Sequence, residues 1–206
     1  MSDRDSRIPT APDVVPSRRA FLTSAAAGGL MVAFHVPFGS PFTGLAGAQT
    51  PAAAIPPEIN AWVVVKADDT VVIRIARSEM GQGSLTGLAQ LVAEELECDW
   101  AKVTTEYPTP GQNLSRNRVW GNFSTGGSRG IRESHEYVRK AGASARMMLV
   151  QAAANRWNVP ASECKAAMCK VQHAASGRSA TYGQLAADAA KLEAPKDVAL
   201  KDPKTW

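Results

Sequence analysis

Five consecutive residues, Glu79-Met80-Gly81-Gln82-Gly83, have the side chains and spacing best suited to hold a polar ligand. Gly81 and Gly83 let the backbone bend sharply and let a ligand approach closely, because neither residue has a Cβ. The Gln82 amide between them donates and accepts hydrogen bonds but does not titrate. We therefore predict that Gln82 and its two glycines contact a polar cofactor without exchanging protons with it. The alternative is that this segment forms only a turn.

A second segment of small and hydroxylated residues follows about forty residues later and consists of Ser124, Thr125, Gly126, Gly127 and Ser128. We predict that it opens a long helix, where free backbone N–H groups bind an anion or the polar edge of a ring. The three hydroxyl groups add side-chain donors. A Ser or Thr at this place also serves as an ordinary helix cap, but two successive glycines exceed what a cap needs. We predict a second ligand-binding turn.

The elements around these turns are predicted from hydrophobic periodicity. Residues 61–75 are rich in Val and Ile, are interrupted at Asp68-Asp69, and indicate a hairpin. Apolar residues then recur at helical spacing from Leu85 to Leu96. A strand is predicted at 103–107 and a polar loop at 108–117. The inner face of the long helix is predicted to consist of Ile131, Val138, Ala141, Ala145, Met148, Leu149 and Ala152.

The last part of the chain predicts a hairpin and a short helix. The hairpin strands are expected at 168–173 and 178–181, and the helix at 182–192. Thr181 and Gln184 have the spacing of a capping box at the start of that helix. The whole pattern predicts an α+β fold of mixed strands with two main helices.

The order of these motifs resembles the molybdopterin-binding region of the xanthine dehydrogenase and aldehyde oxidase family. The resemblance extends over residues 60–206 and is greatest to the large (beta) subunits of the isoquinoline 1-oxidoreductase branch and to membrane-associated aldehyde dehydrogenases. It implies that Gln82, with Gly81 and Gly83, lines the molybdenum cofactor. It also implies that the turn at 124–129 approaches the pterin and phosphate portion. In this family the pterin dithiolene holds the metal, so no metal-ligating residues are expected in the protein.

The resemblance also implies an activity, a cofactor and partners. The chain is expected to be part of a molybdenum hydroxylase subunit, an oxidoreductase that hydroxylates an aldehyde or an N-heterocycle with water-derived oxygen. The cofactor would be molybdopterin cytosine dinucleotide. Electrons would pass to iron–sulfur clusters on a small [2Fe-2S] subunit and on to a cytochrome c subunit. The alternative is a non-catalytic exported domain that binds a small ligand or a protein partner through the same two turns.

No catalytic residue is predicted within the chain. The glutamate base of the family is expected beyond Trp206, so we interpret the chain as the N-terminal part of a larger, molybdopterin-binding subunit, inactive by itself. Glu79 is the only substitute base that the motif suggests. A carboxylate beside a turn is usually solvated, which argues against that role.

The N-terminus predicts export. Arg18-Arg19 follows a polar leader and precedes a weakly apolar run at 23–38, and Ala46-Gly47-Ala48 suits a cleavage site. We therefore predict a twin-arginine signal at 1–48, a linker at 49–60, a cofactor-binding portion at 61–206 and a periplasmic location. If the signal is not cleaved, its apolar run would make shallow contact with the membrane. Two chance arginines in a basic tail are the alternative interpretation.

Charge and composition restrict the partners. The chain has 206 residues, 45% of them hydrophobic, and a formal net charge of +4, which suits one globular domain with a signal. No basic patch interleaved with aromatic residues occurs, so nucleic acid is not an expected partner. The exposed helix face is predicted to carry Arg129, Arg132, Arg139 and Lys140, either as a solvated surface or as a docking surface for an acidic partner.

The cysteine, histidine and tryptophan residues give weaker signals. Cys98, Cys164 and Cys169 form no CxxC pattern, so no iron–sulfur cluster is expected on this chain. Cys164 and Cys169 either pair in an oxidising compartment or remain free thiols. The three histidines are too widely spaced to predict a metal site. Trp120 and Phe123 either line a substrate channel or pack within their loop.

Overall fold

The computed structural model describes residues 56–206. The predicted export signal at 1–48 and most of the predicted linker lie outside the described residues. The end of the linker joins the packed fold, because Ile59 is buried and Glu58 forms a β-bridge with Val64. Within the described part, no helix is long and apolar enough to span a membrane.

The first sheet has three strands and contains a βαβ unit. Strand β1 (Val63–Val65) pairs antiparallel with β2 (Val71–Arg74), and β2 pairs parallel with β3 (Val103–Glu106). Helix α1 (Ser84–Leu96) makes the crossover that parallel pairing requires. The predicted hairpin, helix and strand are all confirmed. The segment 78–83 is the connection from the sheet to α1.

The two long helices pack closely against each other. Helix α4 (His135–Trp157) crosses α1 where Gly142 faces the carbonyl oxygen of Val92. A Cβ at residue 142 would lie 2.5 Å from that oxygen, so only glycine permits this approach. The buried core is mostly aliphatic and combines the sheet with both helices; it includes Val63, Val65, Ile73, Leu88, Val92, Leu96, Val138, Leu149 and Leu185.

A second sheet lies after α4 in the sequence. It is an antiparallel meander of β4 (Cys164–Ala167), β5 (Lys170–His173) and β6 (Arg178–Thr181). The final α-helix, α5 (Tyr182–Ala189), has the predicted capping box between Thr181 and Gln184. With two helices of 13 and 23 residues and two small sheets, the α+β prediction is confirmed.

The predicted polar loop at 108–117 contains a short helix, α2 (Pro110–Ser115). The Thr109 hydroxyl accepts a hydrogen bond from the Gln112 backbone N–H at 3.2 Å, and the Gln112 amide oxygen accepts one from the Thr109 N–H at 2.8 Å. This capping box and the proline at the first helical position together favour a helix. The prediction of an irregular loop was therefore wrong for these six residues.

The predicted single helix after residue 128 is divided in two. Helix α3 (Arg129–Arg132) ends at Glu133, and α4 begins at His135. The break places Ser134 in the interior, where Arg77 and Tyr137 bind its hydroxyl. Ile131 consequently lies on the surface, which corrects its predicted place on the inner face. The other six residues of that face are buried.

Arg139 is not part of a solvated helix face. Its side chain is 12% exposed and binds the fully buried carboxylate of Glu95, with Nε 2.8 Å from Oε1. The indole of Trp206 covers the guanidinium at 4.9 Å. A buried carboxylate requires such a partner, because desolvation of an unpaired charge is costly. Arg129, Arg132 and Lys140 are exposed, as predicted.

Candidate functional site

The first turn is closed by the carboxylate of Glu79. Its Oε1 accepts hydrogen bonds from the backbone N–H groups of Gly81 and Gly83, both at 2.8 Å, and its Oε2 accepts one from Leu85 at 2.9 Å. Gly81 and Gly83 have φ values of +95° and +76°, which favour glycine. These positive φ values allow the backbone of the first turn to curve around the Glu79 carboxylate.

These hydrogen bonds decide the chemical role of Glu79. Donation from the N–H groups of Leu85 and Gly83 holds the pKa of the Glu79 carboxyl below its ordinary value. A carboxylate that is stabilised as an anion is a weaker base. Glu79 therefore caps the start of α1 and shapes the turn, and it does not have the environment of a catalytic base.

The side chain of Gln82 is also bound within the first turn. Its amide oxygen accepts a hydrogen bond from the Met80 N–H at 2.6 Å. Its amide nitrogen donates to the carbonyl oxygen of Ser78 at 2.8 Å and to the hydroxyl of Ser84 at 2.6 Å. Both N–H protons are thus in use, and one lone pair of the carbonyl oxygen remains. The orientation of Gln82 is fixed by its own turn.

The second turn is held beside the first by residues that lie outside it in the sequence. The guanidinium of Arg77 donates to the backbone carbonyl oxygen of Ser124 and, through Nε, to the hydroxyl of Ser134 at 3.0 Å. The hydroxyl of Thr125 accepts a hydrogen bond from the Ser78 N–H at 2.9 Å. Residues 77 and 78, directly before the first turn, therefore hold the second turn beside it.

Five of the eight predicted ligand-binding residues meet at one cleft of about 360 Å³. Its walls include Gln82 from the first turn and the segment 125–128 from the second, with Ser84, Arg129 and Ile131 beside them. Gly81, Gly83 and Ser124 belong to the same two turns but do not line the cleft. No carboxylate lines it, and Arg129 adds a positive charge. The cleft therefore suits a polar or anionic ligand.

The backbone of the second turn presents hydrogen-bond donors. Gly126, Gly127 and Ser128 have φ values of +154°, +58° and +56°. Within residues 56–206, no acceptor is bound to the backbone N–H groups of these three residues. Successive unpaired N–H groups in a turn form an anion-binding concavity. Because α3 has only four residues, these turn amides, rather than the dipole of a long helix, supply the attraction.

Sequence reasoning missed three residues that shape the site: Arg77, Tyr107 and Ser134. Arg77 is buried although it carries a charge, and the Tyr107 hydroxyl accepts a hydrogen bond from the Glu79 N–H at 3.1 Å. The only sequence signal for Arg77 was a charge at the end of an apolar strand. No local signal linked Ser134 or Tyr107 to the motif, because both contacts join distant segments.

Trp120 lies outside this cleft. It is buried between the guanidinium groups of Arg74 and Arg116, which lie 5.9 Å and 5.4 Å from its ring centroid. It lines a separate cleft of about 450 Å³ together with Trp62 and Tyr137. Phe123 lines neither cleft. Trp120 thus packs against Trp62, Arg74 and Arg116, away from the cleft between the two turns.

Among residues 56–206, no group of three His, Cys, Asp or Glu side chains is arranged to hold a metal ion. His135 is exposed at the start of α4, and His173 is buried in β5, where its Nε2 lies 2.9 Å from a Glu163 oxygen. Neither of these two histidines belongs to such a group.

The comparison with known proteins agrees with this chemistry. Residues 27–206 match the family described as molybdopterin cofactor-binding domain. The chain belongs to this family. The match includes both turns and every residue of the cleft. The recognition made from the sequence motifs is confirmed.

Two relatives of this molybdopterin-binding domain are oxidoreductases. It is 41% identical over 184 residues to the isoquinoline 1-oxidoreductase subunit beta of Brevundimonas diminuta, which covers 87% of this chain and 23% of the relative. It is 30% identical over 172 residues to the membrane-bound aldehyde dehydrogenase [pyrroloquinoline-quinone] of Gluconacetobacter polyoxogenes, covering 83% and 21%. The chain thus spans less than a quarter of the length of these relatives.

A similar solved structure is quinoline 2-oxidoreductase from Pseudomonas putida 86. Its TM-score is 0.41 with 16% sequence identity, and the similarity covers 66% of the molybdopterin-binding chain and 17% of that structure.

Proposed function

We propose that the cleft between the two turns holds the pterin and phosphate portion of a molybdenum cofactor. The observation that carries this proposal is that two turns more than forty residues apart meet at one donor-rich cleft. The residues proposed to form the cofactor site are Gly81, Gln82, Gly83, Ser124, Thr125, Gly126, Gly127 and Ser128. Of these, Gly81, Gly83 and Ser124 shape the turns, and the other five face the cleft.

The chemistry of the cleft fits such a cofactor. A phosphate group needs hydrogen-bond donors and the absence of nearby carboxylates, and a pterin edge needs both donors and acceptors. The amides of residues 126–128 and the hydroxyl of Ser128 supply donors. A Cβ at Gly126 would meet no atom within 4 Å, and one at Gly127 would meet only Arg129 Nε at 3.7 Å. The space beside both glycines is therefore open to a ligand.

Gln82 has a defined part in this proposal. Both of its amide protons are donated within the turn. Its carbonyl oxygen therefore offers the cofactor one lone pair, in a direction set by Met80 and Ser84 before the cofactor arrives. An acceptor that is oriented in advance loses little conformational entropy on binding. This group orients the cofactor and exchanges no proton with it.

The proposal for the whole protein extends further than the cleft. We propose that the complete subunit is a molybdenum hydroxylase that uses molybdopterin cytosine dinucleotide to hydroxylate an aldehyde or an N-heterocycle. A bound molybdenum centre would supply two-electron oxidation chemistry, and a small [2Fe-2S] subunit and a cytochrome c subunit are the proposed electron acceptors. The names of the two relatives support the substrate classes. No described residue is proposed as the catalytic base.

The test of cofactor binding is the molybdenum content of the native protein. The full-length gene product, purified with its partners from the periplasm, is analysed by elemental mass spectrometry. About one molybdenum atom per large chain is the expected result. A folded, stable protein without molybdenum and without extractable pterin would contradict the proposal. It would favour a domain that binds another small ligand or a protein partner.

Export is tested separately. We propose that residues 1–48 direct twin-arginine export, supported by the Arg18-Arg19 pair and the apolar run behind it. Replacement of both arginines by lysine is expected to retain the protein in the cytoplasm, because the positive charge remains but the recognised pair is lost. The matched control is Arg4→Lys with Arg7→Lys in the same leader. Equal periplasmic yield of both double variants would contradict twin-arginine export.

A further inference from the structure

Two thiols that are distant in the sequence meet beyond the C-terminal end of α1. Cys98 follows α1 by two residues and lines a cleft of about 420 Å³. Cys169 lies in the turn between β4 and β5 and has no exposed surface. The Cys169 N–H donates to the carbonyl oxygen of Glu97 at 3.1 Å, and the Asp99 N–H donates to the Cys169 sulfur at 3.2 Å. The Cys169 sulfur therefore lies against the backbone of Cys98.

The thiols of Cys98 and Cys169 also lie close enough to affect each other's ionisation. This contact, aided by the Asp99 N–H, lowers the pKa of the Cys169 thiol. The same contact and burial raise the pKa of the Cys98 thiol. Loss of one proton from Cys169 therefore leaves a single proton on the pair, and the thiolate is the form that reacts with disulfides.

The third cysteine is separate from this pair. Cys164 begins β4 and lies opposite His173 in the sheet register. Its thiol contacts the carbonyl oxygen of Pro160 at 3.8 Å. The pairing of Cys164 with Cys169, one of two possibilities left open by the sequence, is therefore not the contact that the fold provides. None of the three cysteines is in a disulfide.

We propose that Cys98 and Cys169 are a redox-active pair that forms a disulfide when the domain meets a small-molecule or protein disulfide. After Cys169 has released one proton to solvent, its thiolate takes the Cys98 proton as Cys98 attacks one sulfur of the oxidant, a mixed disulfide forms and the first thiolate leaves. Cys169 then loses this second proton and attacks the Cys98 sulfur, and the second thiolate leaves. The two departing thiolates take up the two protons that the pair has released. The cysteine pair is oxidised by two electrons, and the oxidant becomes two thiols.

Access and geometry support this order of events. Cys98 lines an open cleft, so an oxidant reaches it first, and Cys169 is shielded and resolves the intermediate. Within residues 56–206 the pair is not part of a three-ligand metal cluster. The bond would join the end of α1 to the β4–β5 turn and would restrict the unfolded chain.

Tryptic mapping tests the proposal directly, because trypsin places the three cysteines on three peptides: 78–102, 157–165 and 166–170. The full chain is equilibrated with oxidised or reduced glutathione, alkylated and digested without reduction. The expected product after oxidation is peptide 78–102 linked to 166–170, with the loss of two hydrogen atoms. Tm should rise by about 5–10 °C relative to the reduced chain.

Three variants provide the controls. Cys98→Ser and Cys169→Ser are each expected to lose the linked peptide and the rise in Tm, and Cys164→Ser should retain both. Cys98 is only half-buried, so its variant remains informative if Cys169→Ser does not fold. Full alkylation of all three cysteines in the folded, oxidised chain would overturn the proposal. A link that includes peptide 157–165 would also overturn it.

Discussion

The two turns at the cleft reach their shapes in different ways. In the first turn, Glu79 and Gln82 bind the backbone of their own segment and close it from within. The second turn has longer local contacts, from the Ser124 N–H to the Asn122 amide oxygen and from Arg129 Nε to the Gly126 carbonyl oxygen, both at 3.3 Å. Its backbone is also held by Arg77 and by the contact of Thr125 with residue 78. The shape of the first turn is therefore encoded locally, whereas that of the second depends in part on the tertiary fold.

This difference indicates which hydrogen-bonding groups of each turn remain available to a ligand. A turn that satisfies its own polar groups keeps its shape without a ligand but has few groups left to bind one. A turn held from outside keeps its backbone N–H groups available at residues 126–128. We infer that the first turn orients one acceptor and that the second supplies most of the donors. Four predictions test this division.

The largest effect is expected for Arg77→Met. The substitution removes the buried cation that holds the carbonyl of Ser124 and the hydroxyl of Ser134, so the second turn loses its anchor. Hydrogen bonds from charged groups contribute about 1.5–3 kcal/mol each, and we expect a loss of about 3 kcal/mol in unfolding free energy. Denaturant titration measures it.

The control for this prediction is Arg118→Met, an exposed arginine that lines the neighbouring cleft. It should leave both stability and molybdenum content close to the wild-type values. If Arg77→Met kept full molybdenum content, the second turn would not need Arg77 to bind the cofactor. That result would contradict the proposed difference between the two turns.

The next effect is expected for Gly127→Ala. An L-residue in the left-handed region costs about 1–2 kcal/mol, and the added methyl group would lie above the turn amides. Molybdenum content should fall several-fold. Gly177→Ala is the matched control, because that glycine has φ +66° and no close neighbour but lies in the β5–β6 connection.

The two glycine variants should therefore lose similar stability, and only Gly127→Ala should lose cofactor. Thermal unfolding measures the stability of both variants, and elemental analysis measures their molybdenum content. Equal molybdenum content in the two variants would show that the amides of the second turn do not hold the cofactor.

A smaller effect on folding is expected for Gln82→Ala. The amide lies on the surface, so the free energy of unfolding should change by less than about 1 kcal/mol, whereas turnover or molybdenum content should fall. Gln112→Ala is the control, because Gln112 also binds its own backbone at an exposed helix start, remote from the cleft. Unchanged activity at full molybdenum loading would exclude a role for Gln82.

The smallest effect concerns pH and the first turn alone. The pKa of Glu79 is lowered by backbone N–H donors, so its contribution is complete above its ordinary value of 4.5 and is lost as the pH falls through the folded value. The amide shifts of Gly83 and Leu85 should follow this titration in NMR spectra. The Gln184 amide, capped by the neutral Thr181 hydroxyl, should not.

A Glu79→Gln variant sharpens this last test. It keeps one carbonyl acceptor but removes the titrating charge, so the pH dependence at Gly83 and Leu85 should disappear. The amides of residues 126–128 should show no response to acid in either protein. A response there would mean that the two turns do not keep their shapes independently.

Most of the local elements were predictable from the sequence. The hairpin of β1 and β2, helix α1 and the capping box of α5 all follow from apolar spacing or from contacts between residues close in the chain. Helix α2 was missed although its capping box at Thr109 and Gln112 is equally local, because the glycine, proline and asparagine content of that segment favoured a loop. The capping box was therefore visible in the sequence, but the loop-forming composition of the segment outweighed it.

The break before α4 was not predictable in the same way. Apolar spacing continues through residues 131–138, and nothing local requires Ser134 to leave the helix. The break depends on Arg77, a residue of the connection between β2 and α1, which binds the Ser134 hydroxyl. A contact between residues more than fifty positions apart has no periodicity that a sequence pattern can reveal.

The sequence by itself determined the fold class, the two turns and the family, because glycine conformation, capping and apolar spacing act over a few residues. Only the tertiary structure decided that the turns share one cleft, that Glu79 is a cap, that Arg139 is buried and that Cys98 faces Cys169. These outcomes depend on how the βαβ crossover and the close crossing at Gly142 bring distant segments together. Packing of that kind is a property of the folded chain.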